Sequence, residues 1–343
     1  MKKKILMVVL AVLVVAMAFT ACSAPADTSS DEPAATEDAA TEDAAADDAA
    51  AEDTADAADA KADGDIVIGV TYQDLQNEYI KQLADVIEEY SAEKGISIVT
   101  ADGEGDASNQ ISQVENFITQ GVDAIILNPY DKDGCIPAAQ KAAEAGIPCV
   151  GLCTQLSDLS ILTSYVGSND VQAGEIEMQQ VADALDGKGN IVIIEGPMGI
   201  SSQIQRYEGI ENILKNYPDI KVLYTQTANW DRAEAMALME NWLQTGEQID
   251  GVVAENDEMA MGAFNACKAA GLDIPVVGID GIPDALNSVK EGGMICSVLQ
   301  NSTKQAQTAF DVALAAAKGE AVEDYYDVPF EPVTSENIDE YLN

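Results

Sequence analysis

The chain has 343 residues, with 60 acidic side chains, 17 basic side chains and no histidine, so its formal net charge is −43 at pH 7. Phosphate binding needs a basic face, which excludes nucleic acid as a partner and disfavours anionic ligands. Because only two arginines occur, bidentate clamps for a phosphate or a carboxylate are scarce. A small neutral ligand fits this composition best.

Residues 1–21 have the order of an export signal. Lys2–Lys4 precede a continuous apolar run from Ile5 to Phe19, and small residues follow it. This order is typical of a signal peptide, and the run is short for a retained transmembrane anchor. The stretch that ends at Cys22 resembles the bacterial lipoprotein signal, in which the cysteine is lipidated, although Phe19 stands where that pattern usually has leucine. The resemblance implies an extracytoplasmic protein anchored in the membrane through a lipidated Cys22, with cleavage and free secretion as the alternative.

Residues 22–64 consist almost entirely of Ala, Asp, Glu, Thr and Ser, so they lack the apolar side chains that a core needs. Fourteen acidic residues between Asp27 and Asp63 stand against one lysine, Lys61. Like charges repel and extend such a segment, to a coil span of roughly 35 Å or more. We predict a disordered acidic tether here. An Ala-rich helix is the competing interpretation, and the clustered charges oppose it.

From residue 65 onward the same unit recurs, with an apolar run, a polar turn, an amphipathic helix and a glycine. The predicted strands are 66–71, 96–101, 124–127, 148–152, 190–194, 220–225, 251–254, 275–278 and 295–299. The predicted helices lie near 77–94, 108–119, 134–145, 171–186, 202–216, 231–245, 258–270, 285–291 and 303–318. Continuous Val/Ile runs separated by helices indicate parallel sheets covered on both faces. The long polar stretch between Cys153 and Gly167 favours two sheets over a single sheet of nine strands. The fold class is therefore α/β, with two doubly wound parallel-sheet lobes and a cleft.

Residues 251–281 form the most informative unit, because they read as strand, helix and strand. A right-handed parallel crossover brings both strand ends to the same edge of a sheet. Asn256 and Asp280 follow these two strands and should lie together at the carboxyl edge, where open α/β sheets bind ligands. An amide and a carboxylate so placed can donate to and accept from a polyhydroxylated solute. The alternative is that Asn256 only caps the following helix and that Asp280 only ends a strand.

Cysteine usage predicts free buried thiols and no metal site. Besides Cys22 there are five cysteines without a CxxC spacing. Cys149 and Cys153 lie four positions apart on one predicted strand, roughly 13 Å between Cα atoms, which is too far for a disulfide. Without histidine, a zinc site would need clustered thiolates that this spacing does not provide. No cofactor is predicted either.

A secreted hydrolase is the hypothesis from another functional class. It would need a nucleophile with its base, or a pair of acidic residues that act as acid and base. The chain contains no histidine and no G-x-S-x-G motif, and Glu195 and Glu255 have no evident partner. We therefore predict that the protein is not an enzyme.

The folded part resembles the ribose/galactose-type periplasmic sugar-binding proteins, the type I solute receptors of ABC importers. The matching segments are IVIGVT near the start, GVDAIILNP at 121–129, AGIPCVGL at 145–152, GSND at 167–170, RYEG at 206–209, NWDR at 229–232, AENDEMAMGA at 254–263 and VVGIDGIPDAL at 276–286. Together they cover residues 66 to about 330 in the family's order. Lac-repressor-type regulators share this core, but they carry a DNA-binding module where this chain has a signal and an acidic tether.

The resemblance implies two similar lobes joined by a three-segment hinge. The hinge segments fall at about 168–170, 300–302 and 327–330. The N-terminal lobe would then comprise residues 65–168 plus 302–328, and the C-terminal lobe residues 169–301 plus 329–343.

The resemblance also implies a set of ligand-binding residues. From the first lobe they are Asn77, Tyr79 and Thr154; from the second lobe Trp230, Asn256 and Asp280; and from the hinge Gln300. Trp230 matches an aromatic residue that packs on the sugar ring, whereas Trp242 falls in a helical pattern and should be packing.

Three positions depart from ribose-like receptors. Cys153 and Thr154 stand where that group has an Asp-Arg pair, and Ile204 stands where it has a second ligand-facing arginine. Arg206 survives as the later arginine, with a more structural role in the family. Each lost charge-assisted hydrogen bond is worth about 1.5–3 kcal/mol when buried. The departures therefore favour a deoxy-sugar, a polyol, a cyclitol or a modified sugar over ribose, unless Gln155, Gln203 or Gln205 substitutes for the missing groups.

The mechanism that the resemblance implies is capture by closure. A neutral carbohydrate-like solute that touches both lobes stabilises the closed arrangement. The closed form, expected to be a monomer, would then dock on the membrane permease of an ABC importer. A receptor that feeds a chemosensor or a sensor kinase is the alternative, and it would use the same binding chemistry.

Overall fold

The computed structural model describes residues 66–342. The predicted signal peptide, Cys22 and the acidic tether lie outside these residues. The strands within the described range are β1 (Val67–Tyr72), β2 (Ser97–Asp102), β3 (Ala124–Leu127), β4 (Cys149–Cys153), β5 (Ser164–Gly167), β6 (Lys188–Glu195), β7 (Asp219–Thr227), β8 (Gly251–Ala254), β9 (Val276–Asp280), β10 (Cys296–Leu299), β11 (Tyr325–Asp327) and β12 (Glu331–Thr334). The helices are α1 (Glu78–Lys94), α2 (Ala107–Gln120), α3 (Ile136–Glu144), α4 (Asp170–Ala184), α5 (Ser201–Leu214), α6 (Arg232–Leu243), α7 (Asp257–Ala269), α8 (Pro283–Lys290) and α9 (Ser302–Ala317).

Two six-stranded sheets organise these elements into two lobes. The first sheet has the strand order β11-β5-β4-β3-β1-β2 and the second the order β12-β10-β9-β8-β6-β7. All neighbouring strands pair in parallel except β12, which runs antiparallel to β10. Helices cover both faces, and four buried apolar clusters fill the spaces between helices and sheets. The predicted fold class, two doubly wound parallel-sheet lobes, is confirmed.

All nine predicted strands are present, and three further strands were not predicted. The stretch 153–167, read as a break, contains β5, which pairs with β4. Strand β11 has only three residues and extends the first sheet at its edge. Strand β12 lies at the edge of the second sheet and contains Pro332, which edge strands tolerate because one side of the strand needs no partner. Short edge strands carry too little hydrophobic pattern for detection from sequence.

The chain crosses between the two lobes three times within the described residues. The first crossing joins β5 to α4 through Ser168 and Asn169. The second joins β10 to α9, which packs on α1 and on β3, β4 and β5 of the first lobe. The third joins β11 to β12 through residues 328–330.

Helix caps follow the strand ends and fix the residues that lie there. Asn77 caps α1, its Oδ1 accepting from the backbone N–H of Ile80 at 3.1 Å. Asn256 caps α7, with Oδ1 accepting from the N–H of Met259 at 2.9 Å. Asp231 caps α6 in the same way. Such caps hold a polar side chain at the carboxyl edge of each sheet. Over residues 66–342, none of the helices is both long and apolar enough to span a bilayer.

Candidate functional site

A cavity lies where the carboxyl edges of the two sheets face each other. It encloses about 310 Å³ not filled by protein atoms, part of it open to solvent. Its lining residues are Gln73, Asn77, Tyr79, Ile80, Cys153, Thr154, Ser202, Arg206, Trp230, Asn256, Asp280 and Gln300. All seven residues predicted to bind ligand are brought together here, three from the first lobe, three from the second and one from the second crossing. Whether they contact a ligand stays a prediction.

The second-lobe wall presents a donor beside an acceptor. Asn256 is 2% exposed, and because its Oδ1 caps α7, its Nδ2 is left without a hydrogen-bond partner among the described residues. Asp280 is 5% exposed, and its Oδ1 lies 3.9 Å from Nη1 of Arg206. The capping alternative for Asn256 is therefore correct for its oxygen, while the amide nitrogen remains available to a ligand. A buried donor without a partner is costly unless something fills the cavity.

The backbone is strained at three residues that line the cavity. Cys153, Trp230 and Asp280 have φ angles of 65°, 61° and 134°. L-residues rarely adopt these conformations, which cost on the order of 1–3 kcal/mol each and concentrate at functional sites. Three cavity residues from separate segments of the chain share this feature, which supports a functional role for the cavity.

Trp230 forms an aromatic side of the cavity. It precedes α6, and a Cβ on Gly196 would overlap its indole ring, so only glycine permits this ring position. The ring is half-buried, and one aromatic face can pack against the C–H groups of a polyhydroxylated ring or chain. Trp242, by contrast, is buried in the second-lobe core and stacks on Tyr224, as predicted for a packing residue.

In the first-lobe wall, Tyr79 and Thr154 hydrogen-bond to other side chains of the protein. Tyr79 donates its hydroxyl to Oε1 of Gln305 at 3.1 Å, and Thr154 donates to Oε1 of Gln73 at 3.2 Å. Burial raises the pKa of the Cys153 thiol to about 12, so it is a neutral thiol at physiological pH. This wall offers no charged side chain to a ligand, in keeping with Cys153 and Thr154 at the positions where ribose-like receptors have an Asp-Arg pair.

The glutamines suggested as substitutes for missing arginines have other contacts. The backbone N–H of Gln155 donates to Oγ of Ser201 at 2.8 Å, and its Oε1 accepts from Nε2 of Gln205 at 2.8 Å. Both bonds join the two lobes beside the cavity. Gln203 donates to Glu195. None of these three glutamines belongs to the cavity lining given above, so the substitution alternative is not supported.

Arg206 also lines the cavity, although it was not among the predicted ligand-binding residues. It is 4% exposed, and its Nε donates to Oδ1 of Asp170 at 2.9 Å. Burial opposes its charge, but Asp170 and Asp280 outweigh this effect and raise the pKa of Arg206, so it remains a cation. The feature of the sequence that could have singled out Arg206 is its rarity, since it is one of only two arginines. Gln73 was also missed, although it directly follows β1.

Buried carboxyl groups surround this single guanidinium. Burial raises the pKa of Asp280 well above its usual value, although Arg206 opposes the shift. Burial likewise raises the pKa of Glu177 and Glu255 well above normal, and that of Asp257 to about 6. Burial therefore favours the neutral forms of Asp280 in the second-lobe wall and of the carboxyl groups behind it. Glu195 and Glu255, weighed for a hydrolase, do not line the cavity, and no group of three ligating side chains in residues 66–342 could hold a metal ion.

Comparison with known proteins gives consistent matches over the folded part. A model of the periplasmic binding protein domain matches residues 68–321. The xylitol-binding protein of Mycolicibacterium smegmatis is 44% identical over 288 residues, covering 82% of this chain and 81% of that protein. A putative rhizopine-binding protein of Rhizobium meliloti is 37% identical over 283 residues, covering 80% and 92%. The crystal structure of an ABC transporter solute binding protein from Bacillus halodurans C-125 with bound myo-inositol is 40% identical, with a TM-score of 0.79, covering 82% of this chain and 98% of that one.

The family model covers most of the chain, and the solved structure with bound myo-inositol shares its fold over nearly the whole length of that protein. The interlobe cavity lies between the strand ends that the family resemblance had indicated. The chain therefore belongs to the periplasmic binding protein family.

Proposed function

We propose that this protein is the extracytoplasmic receptor of an ABC-type importer and captures a small neutral polyol or sugar-like solute between its lobes. The observation that carries the proposal is the pairing of a free buried amide donor on Asn256 with the Asp280 carboxylate, facing first-lobe side chains across one cavity. A donor next to an acceptor matches two neighbouring hydroxyl groups of a polyhydroxylated solute. One relative is named for xylitol binding, and another holds myo-inositol.

The chemistry of the two walls favours polyols and cyclitols. The second lobe would supply the polar contacts through Asn256 and Asp280 and the aromatic contact through Trp230. The first lobe would supply Asn77, Tyr79 and Thr154 without any charge, and Gln300 would contact the solute from the second crossing. A solute that depends on guanidinium donors from the first lobe is disfavoured, since buried acceptors on it would lose their partners.

Capture is proposed to occur by lobe closure. A solute that touches both walls stabilises the closed arrangement by its differential affinity for the two arrangements. The lobes would comprise residues 65–168 plus 302–328 and residues 169–301 plus 329–343. The closed monomer would then present both lobes to a membrane permease. The family consists of binding proteins, and we propose no catalytic activity.

The membrane attachment is proposed from the sequence alone. A lipidated Cys22 would anchor the chain, and residues 22–64 would hold the lobes away from the membrane. Expression in a bacterial host with Cys22→Ser tests this. The unaltered chain should fractionate with membranes and incorporate labelled fatty acid, and the variant should do neither. Equal membrane association of the two chains would refute the anchor.

Binding is tested by titrating intrinsic tryptophan fluorescence, confirmed by calorimetry, with xylitol, myo-inositol, D-ribose and D-allose. At least one of the polyols should bind more tightly than D-ribose. Asp280→Asn should weaken that binding by about 30-fold or more, which corresponds to about 2 kcal/mol. Trp230→Phe should remove most of the fluorescence response, while the matched variant Trp242→Phe should keep it. Absence of binding to the whole panel, or equal affinity of Asp280→Asn, would refute the proposal.

A further inference from the structure

One buried guanidinium contacts residues in or directly beside all three crossings between the lobes. Nε of Arg206 donates to Oδ1 of Asp170, just after the first crossing, at 2.9 Å. Nη2 donates to Oε1 of Gln300, which opens the second crossing, at 3.2 Å. The guanidinium carbon lies 5.8 Å from the ring centroid of Phe330, which ends the third crossing.

The same guanidinium contacts the second-lobe wall of the cavity. Nη1 lies 3.9 Å from Oδ1 of Asp280 and donates to the backbone carbonyl of Glu255, which precedes Asn256. The guanidinium carbon is 5.6 Å from the ring of Trp230. Arg206 therefore contacts two of the predicted ligand-binding side chains of this lobe directly and the third through its neighbour.

Close helix packing places this side chain. Gly174 on α4 and Gly209 on α5 each face the backbone of the other helix, and a Cβ at either position would overlap it. The two helices approach closely enough for Arg206 on α5 to reach Asp170 at the start of α4. A planar group with five N–H donors can serve several directions at once, which a lysine ammonium on a flexible stem cannot reproduce.

The first lobe contains a counterpart network. Tyr79 donates to Gln305 at 3.1 Å, and Nε2 of Gln305 donates to Oγ of Ser168 in the first crossing at 2.7 Å. Ser168 in turn donates to the carbonyl of Val328 in the third crossing. The crossing segments thus lie between two polar networks, and each network ends on a side chain of the cavity.

We propose that Arg206 is a positioning residue that couples the second-lobe wall of the cavity to the three crossings, so that a solute bound at Asp280 and Trp230 changes the interlobe angle. This inference rests on the proposed function. The competing explanation is that Arg206 and Asp170 form a buried ion pair that only stabilises the second lobe.

The test measures interlobe distances as well as affinity. Spin labels on Glu89→Cys in α1 and Glu240→Cys in α6, both exposed positions, report the distance distribution by pulsed electron paramagnetic resonance. The variants are Arg206→Lys, which keeps the charge, and Arg206→Met with Asp170→Asn, which removes both charges of the pair so that neither is left buried alone. The matched control is Arg232→Met with Glu258→Gln, the other arginine of the lobe with its carboxylate partner at 2.7 Å.

Both Arg206 variants should broaden the distance distribution of the solute-free protein, whereas the control should not. With xylitol or myo-inositol, the shift in mean distance should fall to less than about half and the affinity by about 30-fold or more. A merely structural role would lower the melting temperature without changing either the solute-free distribution or the shift. If the double variant does not fold, Arg206→Lys and Phe330→Leu, which leaves the ion pair intact, decide the question.

An unchanged distribution in every Arg206 and Phe330 variant that folds would overturn the inference. A failure of the proposed function would give a different experimental result. In that case the unaltered protein shows no shift with any solute of the panel, while the solute-free distributions still report whether Arg206 holds the crossings.

Discussion

Glu177 provides a test of how a buried carboxyl group in the second lobe makes the stability of the protein depend on pH. It lies on α4 and is 0% exposed, and neither carboxyl oxygen has a hydrogen-bond partner among the described residues. Its charged neighbours are Glu255, Asp257, Asp280 and Arg206, of which only the last favours its ionised form. Burial raises its pKa well above the ordinary value of 4.5. The folded protein therefore holds a proton that the unfolded chain releases once the pH exceeds that value.

The sign and size of the effect follow from proton linkage. Above the ordinary pKa the unfolded state binds fewer protons than the folded state, so the free energy of unfolding decreases as the pH rises. While Glu177 stays protonated in the folded state, the loss is about 1.4 kcal/mol per pH unit. Glu177→Gln has nearly the same shape and no proton to take up. Its stability relative to the unaltered protein should therefore increase as the pH rises from about 5.5 to about 7.5, by about 1.4 kcal/mol for each pH unit over which Glu177 keeps its proton in the folded state.

Urea unfolding followed by circular dichroism at three pH values in this interval measures the difference. Contributions of the other buried carboxyls largely cancel, because both proteins contain them. Glu175→Gln, at a partly exposed position on the same helix, is the matched control and should reproduce the pH dependence of the unaltered protein. A constant gap between Glu177→Gln and the unaltered protein across the interval would refute the assignment of a protonated Glu177.

Three further predictions separate the roles of residues around the cavity. Asn256→Ser keeps a good N-cap but lacks the amide nitrogen, and Asn256→Ala lacks both, so only the Ala variant should lose about 1 kcal/mol of stability. Calorimetry should show similar losses of xylitol or myo-inositol affinity for the two variants. Equal affinity of Asn256→Ser and the unaltered protein would contradict the role of Nδ2. Gly196→Ala should displace the Trp230 ring and weaken binding by about tenfold in fluorescence titrations, and unchanged binding would mean that the ring position is irrelevant. Gln155→Ala removes the side-chain hydrogen bond to Gln205 between the lobes. The variant should broaden the interlobe distance distribution and weaken the binding of every solute by the same factor. Altered selectivity among the solutes would show instead that Gln155 contacts the solute.

The cavity residues show what can be predicted from the local sequence pattern. Asn256 and Asp280 follow consecutive parallel strands, and the handedness of the crossover already requires both to emerge at one sheet edge. Asn77, Trp230 and Gln300 came from segments whose order resembles the family. All of these residues line the cavity. Their placement around one cavity could be predicted because each position depends on the strand or helix immediately beside it, and their contact with a ligand stays a prediction.

Arg206 and Glu177 have contacts that the local sequence pattern does not predict. Both lie on helices whose apolar spacing says only which face is buried, and neither α4 nor α5 indicates which polar groups meet there. The pairing of Arg206 with Asp170 depends on two glycines that bring these helices together. Strands β5, β11 and β12 have the same limitation, since such short strands depend on the neighbouring strands to which they bond.

The sequence alone determined the two-lobed parallel architecture, the strand ends that carry the polar residues, and the absence of histidine-based chemistry, because periodicity and composition act over a few residues at a time. Only the tertiary structure decided that the amide nitrogen of Asn256 is free, that one guanidinium contacts residues in or beside all three crossings, and that both carboxyl oxygens of Glu177 are buried without a hydrogen-bond partner among residues 66–342. Those properties depend on contacts between segments that are far apart in the chain, and distance and burial exist only once the chain has folded.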